Sequence, residues 1–184
     1  MTERIGQSES RGAPSSRAGK PDPIASIWRA VGSVVDPEIP MISIVELGIV
    51  RDVARAGDEW VITLTPTYSG CPATRVIETD VRSAVAAVSD ASVRIVTTLS
   101  PPWSSDWIAP EARRKLCEAG IAPPHPSRAT GIESQPIAFR RAAVRCPNCG
   151  SVRTQELSRF GSTACKAQYR CADCLEPFDY FKPY

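Results

Sequence analysis

The chain has 184 residues, 42% hydrophobic and 23% charged, with a formal charge of +2, a composition that suits one folded domain and a small additional module. No run approaches the roughly 20 apolar residues of a membrane helix, and the first twenty residues lack the apolar stretch of a signal peptide. The cytoplasm is therefore the expected location. A pI near 8.2 is too weak a field to select a nucleic-acid or membrane partner. The single histidine, His125, excludes the hydrolytic zinc, facial-triad iron and Glu-x-x-His di-iron sites that need two or more. Nucleotide-binding Gly-x-Gly-x-x-Gly and Walker loops are missing.

Residues 1–21 are polar and predict a disordered tail. In the domain expected over 22–122, Ile24, Ile27, Trp28, Val31 and Val34 or Val35 recur at helical steps behind Pro21 or Pro23, predicting a short helix halted near Asp36-Pro37. Residues 47–53 and 60–65 flank Ala56-Gly57-Asp58-Glu59 and predict a hairpin with Trp60, Ile62 and Leu64 on one face. Val76, Ile77, Val81, Ala84, Val85 and Val88 form a second helical stripe, with Pro72 at its favoured first position. A strand over 92–99 and a short helix over 111–119 follow. The order helix, hairpin, helix, strand specifies a two-layer α+β domain. Prolines at 101, 102, 110, 123, 124, 126 and 136 mark extended connectors, the linker being assigned to 123–139 and a separate module to 140–184.

That module carries Cys146-Pro-Asn-Cys149-Gly and Cys171-Ala-Asp-Cys174. Each Cys-x-x-Cys turn directs two sulfurs to one point, and two turns complete a tetrahedral thiolate site, with structural zinc the expected ion. So short a module needs its metal to fold. Iron on the same sulfurs is the alternative, because the first turn resembles the knuckle of rubredoxin. A nucleic-acid-reading ribbon is disfavoured. Residues 140–184 carry eight Lys and Arg against four Asp and Glu, and thiolates on zinc reduce even that surplus.

The second candidate is Cys71, expected at the start of the second helix, where unpaired N–H groups and the dipole favour thiolate and so a metal ligand or nucleophile. A small buried residue at a helix end is the equally open reading. Asp36 and Glu38 flank Pro37 and can supply oxygen ligands, although Asp-Pro-Glu is also an ordinary helix stop. Cys165, beside Lys166, is either an additional reactive thiol or a packed ribbon residue. Cys117 is expected in the core with Leu116, and Trp103 and Trp107 are expected to cover a sheet edge rather than to bind a partner.

Asp36-Pro-Glu-Ile-Pro40, the segment 45–53 (Val-Glu-Leu-Gly-Ile-Val-Arg-Asp-Val), Thr63-Leu-Thr-Pro-Thr-Tyr-Ser-Gly-Cys-Pro72 and Ser100-Pro-Pro-Trp103 resemble the SufT-type metal-sulfur cluster assembly domain. With Trp107-Ile-Ala-Pro-Glu111, Gly120-Ile-Ala-Pro-Pro124 and Phe160-Gly-Ser-Thr-Ala-Cys-Lys-Ala-Gln-Tyr-Arg-Cys171, the chain is similar to the PaaD (PaaJ) family of bacterial phenylacetyl-CoA epoxidase components. The resemblance implies an accessory protein of aerobic phenylacetate degradation. It would assist assembly of an iron-sulfur or di-iron centre in the oxygenase and reductase components, which would be its protein partners. Transient iron or an iron-sulfur cluster is the implied cargo. The family's motif cysteine maps to Cys71, its acidic motif to Asp36 and Glu38, and its ribbon to Cys146, Cys149, Cys171 and Cys174. Glu46 stands where Asp is common in relatives. The chain is not expected to be catalytic alone, because one histidine cannot build a di-iron site. A stable structural subunit of the epoxidase is the alternative role, a zinc-ribbon nucleic-acid-binding protein a weaker one, and a homodimer stays open.

Overall fold

A computed structural model describes residues 22–126 and 143–184. The expected tail over 1–21, most of the expected linker, and residues 140–142 lie outside the described residues. Helix α1 (Pro23–Gly32) begins where Asp22 caps it, its carboxylate accepting from Ile24 N at 3.0 Å, and Pro23 supplies a fixed φ at the first position. Ile27 and Val31 bury its inner face. The helix ends before Asp36-Pro37. Asp36 instead closes strand β1 (Val35–Asp36), which turns through Pro37 and Glu38 into strand β2 (Ile39–Ser43).

Strands β3 (Val50–Ala56) and β4 (Glu59–Leu64) form the expected antiparallel hairpin, with Trp60, Ile62 and Leu64 buried on one face. Helix α2 (Thr74–Ala86) crosses over and delivers strand β5 (Ser92–Thr97) parallel to β4. A 3-10 turn (Ser105–Trp107) and helix α3 (Pro110–Glu118) complete the first lobe.

The α+β class with a following four-cysteine module is therefore the observed one, with local corrections. Residues 44–48 form turns, not strand, because Gly48 takes φ +72°, a conformation no pleated strand accommodates. Helix α2 starts at Thr74 with Ala73 as its cap, so Pro72 precedes the helix and Cys71 lies two residues outside the cap. Cys117 is exposed. On α3 the buried residues are Ala112 and Leu116, four apart, whereas adjacent Cys117 is turned about 100° away.

The second lobe is one antiparallel sheet with a parallel edge. Strands β7 (Thr154–Ser158), β8 (Lys166–Cys171) and β9 (Pro177–Phe181) pair in that order, and β6 (Ile121–Ala122) joins parallel to β9. The first lobe's chain thus enters the ribbon sheet directly. Phe181, 1% exposed, belongs to the first lobe's core, as does Cys165. Trp103 lies between the lobes, its ring centroid 6.0 Å from Phe181 and 6.1 Å from Tyr184, and its indole N–H donates to Leu47 O at 3.1 Å. Ser105 N donates to Tyr184 O at 3.2 Å. Trp103 therefore seals the interface between lobes rather than a sheet edge.

Candidate metal centre and thiol cavity

The two knuckles of the ribbon are built alike. Cys146 N donates to Ser151 O at 2.8 Å and Gly150 N returns to Cys146 O at 2.9 Å, while Cys171 N donates to Glu176 O at 3.0 Å. In each knuckle the residue after the second cysteine has left-handed backbone, Gly150 at φ +76° and Leu175 at +66°. For leucine that costs about 1–2 kcal/mol, so the turn is imposed by what its cysteines must reach. The four sulfurs lie within 4.8 Å of one another. The Cys146–Cys174 and Cys149–Cys171 pairs are 3.7 and 3.5 Å apart. Tetrahedral thiolates on bonds of about 2.3 Å have edges of about 3.8 Å, so the donor set fits one ion with no position left for a substrate. Asp173 N points at Cys171 Sγ at 3.4 Å. The Cys174 backbone N–H is the main influence holding the Cys171 thiol down at about 7, while the neighbouring cysteines push Cys174 up to about 12, so the sulfurs share thiolate character until a cation balances it.

Far along the sequence, a second site forms where the lobes meet. A cavity of about 20 Å³ is lined by Asp36 and Glu38 of the β1–β2 turn, by Thr67, Tyr68 and Cys71 of the β4–α2 loop, and by Cys165 of the loop before β8. Glu38 and Cys71 thus face the same space as Asp36. Cys165 lines this cavity and takes no part in the four-cysteine cluster. Cys71 is half-buried, its N–H donating to Tyr68 O at 3.2 Å and its carbonyl accepting from Thr74 N at 3.3 Å.

Three groups lining the cavity carry no signal that sequence reasoning could assign to it: Tyr68, Thr163 and Phe181. Tyr68 lies in the motif run but has no metal-ligand spacing. The other two arrive by lobe packing, which no local pattern announces. Burial raises the Tyr68 phenol, and its neighbours Cys71, Cys165 and Glu38 raise it further. Burial also raises the Cys165 thiol, opposed by the Thr163 hydroxyl at 3.0 Å and by Lys166.

Asp36, 7% exposed, accepts from Glu38 N at 2.9 Å and Ile39 N at 3.0 Å through one oxygen. Burial nevertheless raises its carboxyl above the ordinary 3.8. The folded state then holds the proton more tightly than the unfolded chain. Its contribution is full below 3.8 and declines as pH rises through the raised value. Asp36→Asn keeps an acceptor for both N–H groups and removes the buried charge. The expected result is a gain of about 1 kcal/mol at pH 7, or roughly 2–4 °C, absent at pH 3. Thermal melts at the two pH values check this, and a lower melting temperature for the variant at pH 7 overturns it.

The sequence relationships follow this division. Residues 24–97 match the family of iron-sulfur cluster assembly proteins, and residues 133–182 match the PaaD zinc beta ribbon domain. Over 162 residues, 88% of this chain and 94% of the relative, the chain is 47% identical to the Escherichia coli (strain K12) protein named provisionally as the D component of 1,2-phenylacetyl-CoA epoxidase. The chain belongs to the PaaD family. The Fe-S protein maturation auxiliary factor YitW of Bacillus subtilis (strain 168) is 39% identical over 95 residues, 50% of this chain and 90% of YitW. Among solved structures, a DUF59 domain of unknown function from Bacillus anthracis is 30% identical over 51% of this chain and 91% of its own, with a TM-score of 0.46. As a PaaD family member the chain joins an iron-sulfur assembly domain to a metal-binding ribbon. Its relationships support an accessory role in iron-sulfur assembly that involves protein partners. Among the described residues no helix is long and apolar enough to cross a membrane.

Proposed function

We propose that the protein delivers iron to the oxygenase or reductase component of a phenylacetyl-CoA epoxidase, holding it transiently on Cys71 with Asp36 and Glu38. Zinc closes the four-cysteine site and folds the ribbon. The observation that carries this reading is the contrast between the two sites. Four sulfurs already gathered to tetrahedral spacing retain their ion, because little rearrangement is needed to bind it. Among the described residues no other group of three or more metal-binding side chains is gathered so closely. The Cys71 cavity must draw its walls inward to bind, and that cost weakens retention, as cargo meant for a client requires.

The chemistry of the cavity suits such a transfer. Thiolate and carboxylate together suit a borderline divalent ion better than either hard magnesium or soft copper(I). Asp36 is fixed by its two backbone donors, so it holds one wall of the cavity in place. The half-exposed Cys71 gives an incoming client thiolate or carboxylate a side from which to displace it. A stable subunit role predicts a fixed stoichiometry and a continuing need after the partners are metallated.

The test is co-expression with the epoxidase partners. Cys71→Ser is expected to lower the iron content of the purified partners at least severalfold while changing this protein's own melting temperature by less than about 2 °C. Unchanged partner iron overturns the carrier reading.

A further inference from the structure

The geometry points to Cys165 as a second cargo ligand: sulfur from the ribbon and sulfur from the first lobe, Cys71, close on a single divalent ion between them. This rests on the reading of Cys71 as a cargo ligand and adds the second donor, the nuclearity and the dependence on the ribbon. Cys165 has no place in the four-cysteine site, which is complete without it. It is 8% exposed and belongs to the first lobe's core, yet it lines the cavity with Asp36, Glu38 and Cys71. Two contacts fix it there. Lys182 N donates to Cys165 O at 2.9 Å, and the Thr163 hydroxyl lies 3.0 Å from the sulfur.

Size favours a small occupant. A volume of about 20 Å³ is that of about one water-sized occupant. A single ion is reached by movement of side chains alone, whereas a cluster of two irons and two sulfides is several times larger and needs the lobes to part. Balance is simple: one divalent ion enters, two thiols lose two protons, and no electron is exchanged. Carboxylate oxygen from Asp36 or Glu38 completes the coordination. The ion therefore arrives and leaves by ligand exchange, as iron(II), without a reductant.

Two consequences distinguish this from a core cysteine beside a reactive one. The site exists only when the ribbon is folded onto the first lobe, so the structural metal controls the cargo site without touching cargo. The aligned 95 residues already make up 90% of YitW, leaving no length for a ribbon. The segment that carries Cys165 thus has no counterpart of its length there.

The experiment is anaerobic titration of cobalt(II), a spectroscopic stand-in for iron(II), into full-length protein carrying one zinc in the ribbon. Wild type is expected to take up one further equivalent with sulfur-to-cobalt charge-transfer absorption. X-ray absorption at the cobalt edge should count two sulfurs, a measurement that needs no variant. Cys165→Ser and Cys165→Ala, checked for retained zinc, should bind at least tenfold more weakly with about half the absorption. One sulfur at the cobalt edge, or Cys165 variants that titrate like wild type, overturns the proposal. If Cys71→Ser alone then weakens binding, the Cys71 reading survives; if it also titrates like wild type, that reading falls too.

Discussion

Removing the metal from the four-cysteine site, by chelation or by Cys146→Ser, is expected to unfold residues 143–184 and to destabilise the first lobe with them. The ribbon's own core is small: Ala122, Val144, Cys146, Ala167, Cys171, Phe178 and Tyr180, of which two belong to the four-sulfur cluster. A structural zinc contributes on the order of 10–16 kcal/mol in small peptides of this kind, against a total stability of about 5–15 kcal/mol for an ordinary domain. The ribbon has nothing of comparable size to replace it. Damage spreads because Phe181 and Cys165 fill the first lobe's core and Trp103 packs on Phe181 and Tyr184. Losing Phe181 from that core alone is equivalent to a large-to-small substitution of about 3–5 kcal/mol. Circular dichroism of the ribbon strands, with tryptophan emission reporting Trp103, follows both events. Stripped protein that keeps the emission and melting temperature of the loaded form would show that the lobes are independent.

Gly48→Ala is expected to cost about 3 kcal/mol or more. An added Cβ would lie 2.6 Å from Trp107 Cβ and 2.8 Å from the Trp107 carbonyl oxygen, and the latter is backbone that cannot swing aside. Left-handed backbone adds about 1–2 kcal/mol for any side chain. The contact matters because the turn holding Gly48 also anchors α3. Ala109 N donates to Glu46 O at 2.9 Å, and Lys115 reaches the Glu46 carboxylate at 2.6 Å. Arg51 meanwhile sits 3.6 Å from the centroid of the Trp107 ring. Gly32→Ala is the matched control. Nothing lies within 4 Å of its added Cβ, so the change should be neutral or mildly stabilising at a helix end. Urea midpoints for the two variants check the contrast, and similar midpoints would refute the steric account.

Elements with a strong local period are legible in the sequence. The stripes of α1 and α2, the alternation of β4 and the paired Cys-x-x-Cys turns each carry their signal within a few residues. Expectation and structure part where neighbours in sequence and neighbours in space diverge. Cys117 adjoins Leu116 in the chain but lies on another face of α3. The proline after Cys71 suggests a helix end at the thiol, whereas α2 starts three residues later, at Thr74. A macrodipole acts mainly on groups at the first turn, so the helix end supplies less to this thiol than the neighbouring proline suggests. Asp-Pro-Glu reads locally as a stop, but its carboxylate caps the β1–β2 turn and faces the cavity. That Cys71 and Cys165 line one cavity is not legible at all, because it depends on Phe181 and Trp103 docking one lobe on the other.

The position of β9 between β6 and β8 also sets an order of events at the ribosome. The first lobe's interior stays incomplete until this late segment has emerged, because Phe181 and Cys165 belong to it, and until then the wall they give the Cys71 cavity is missing.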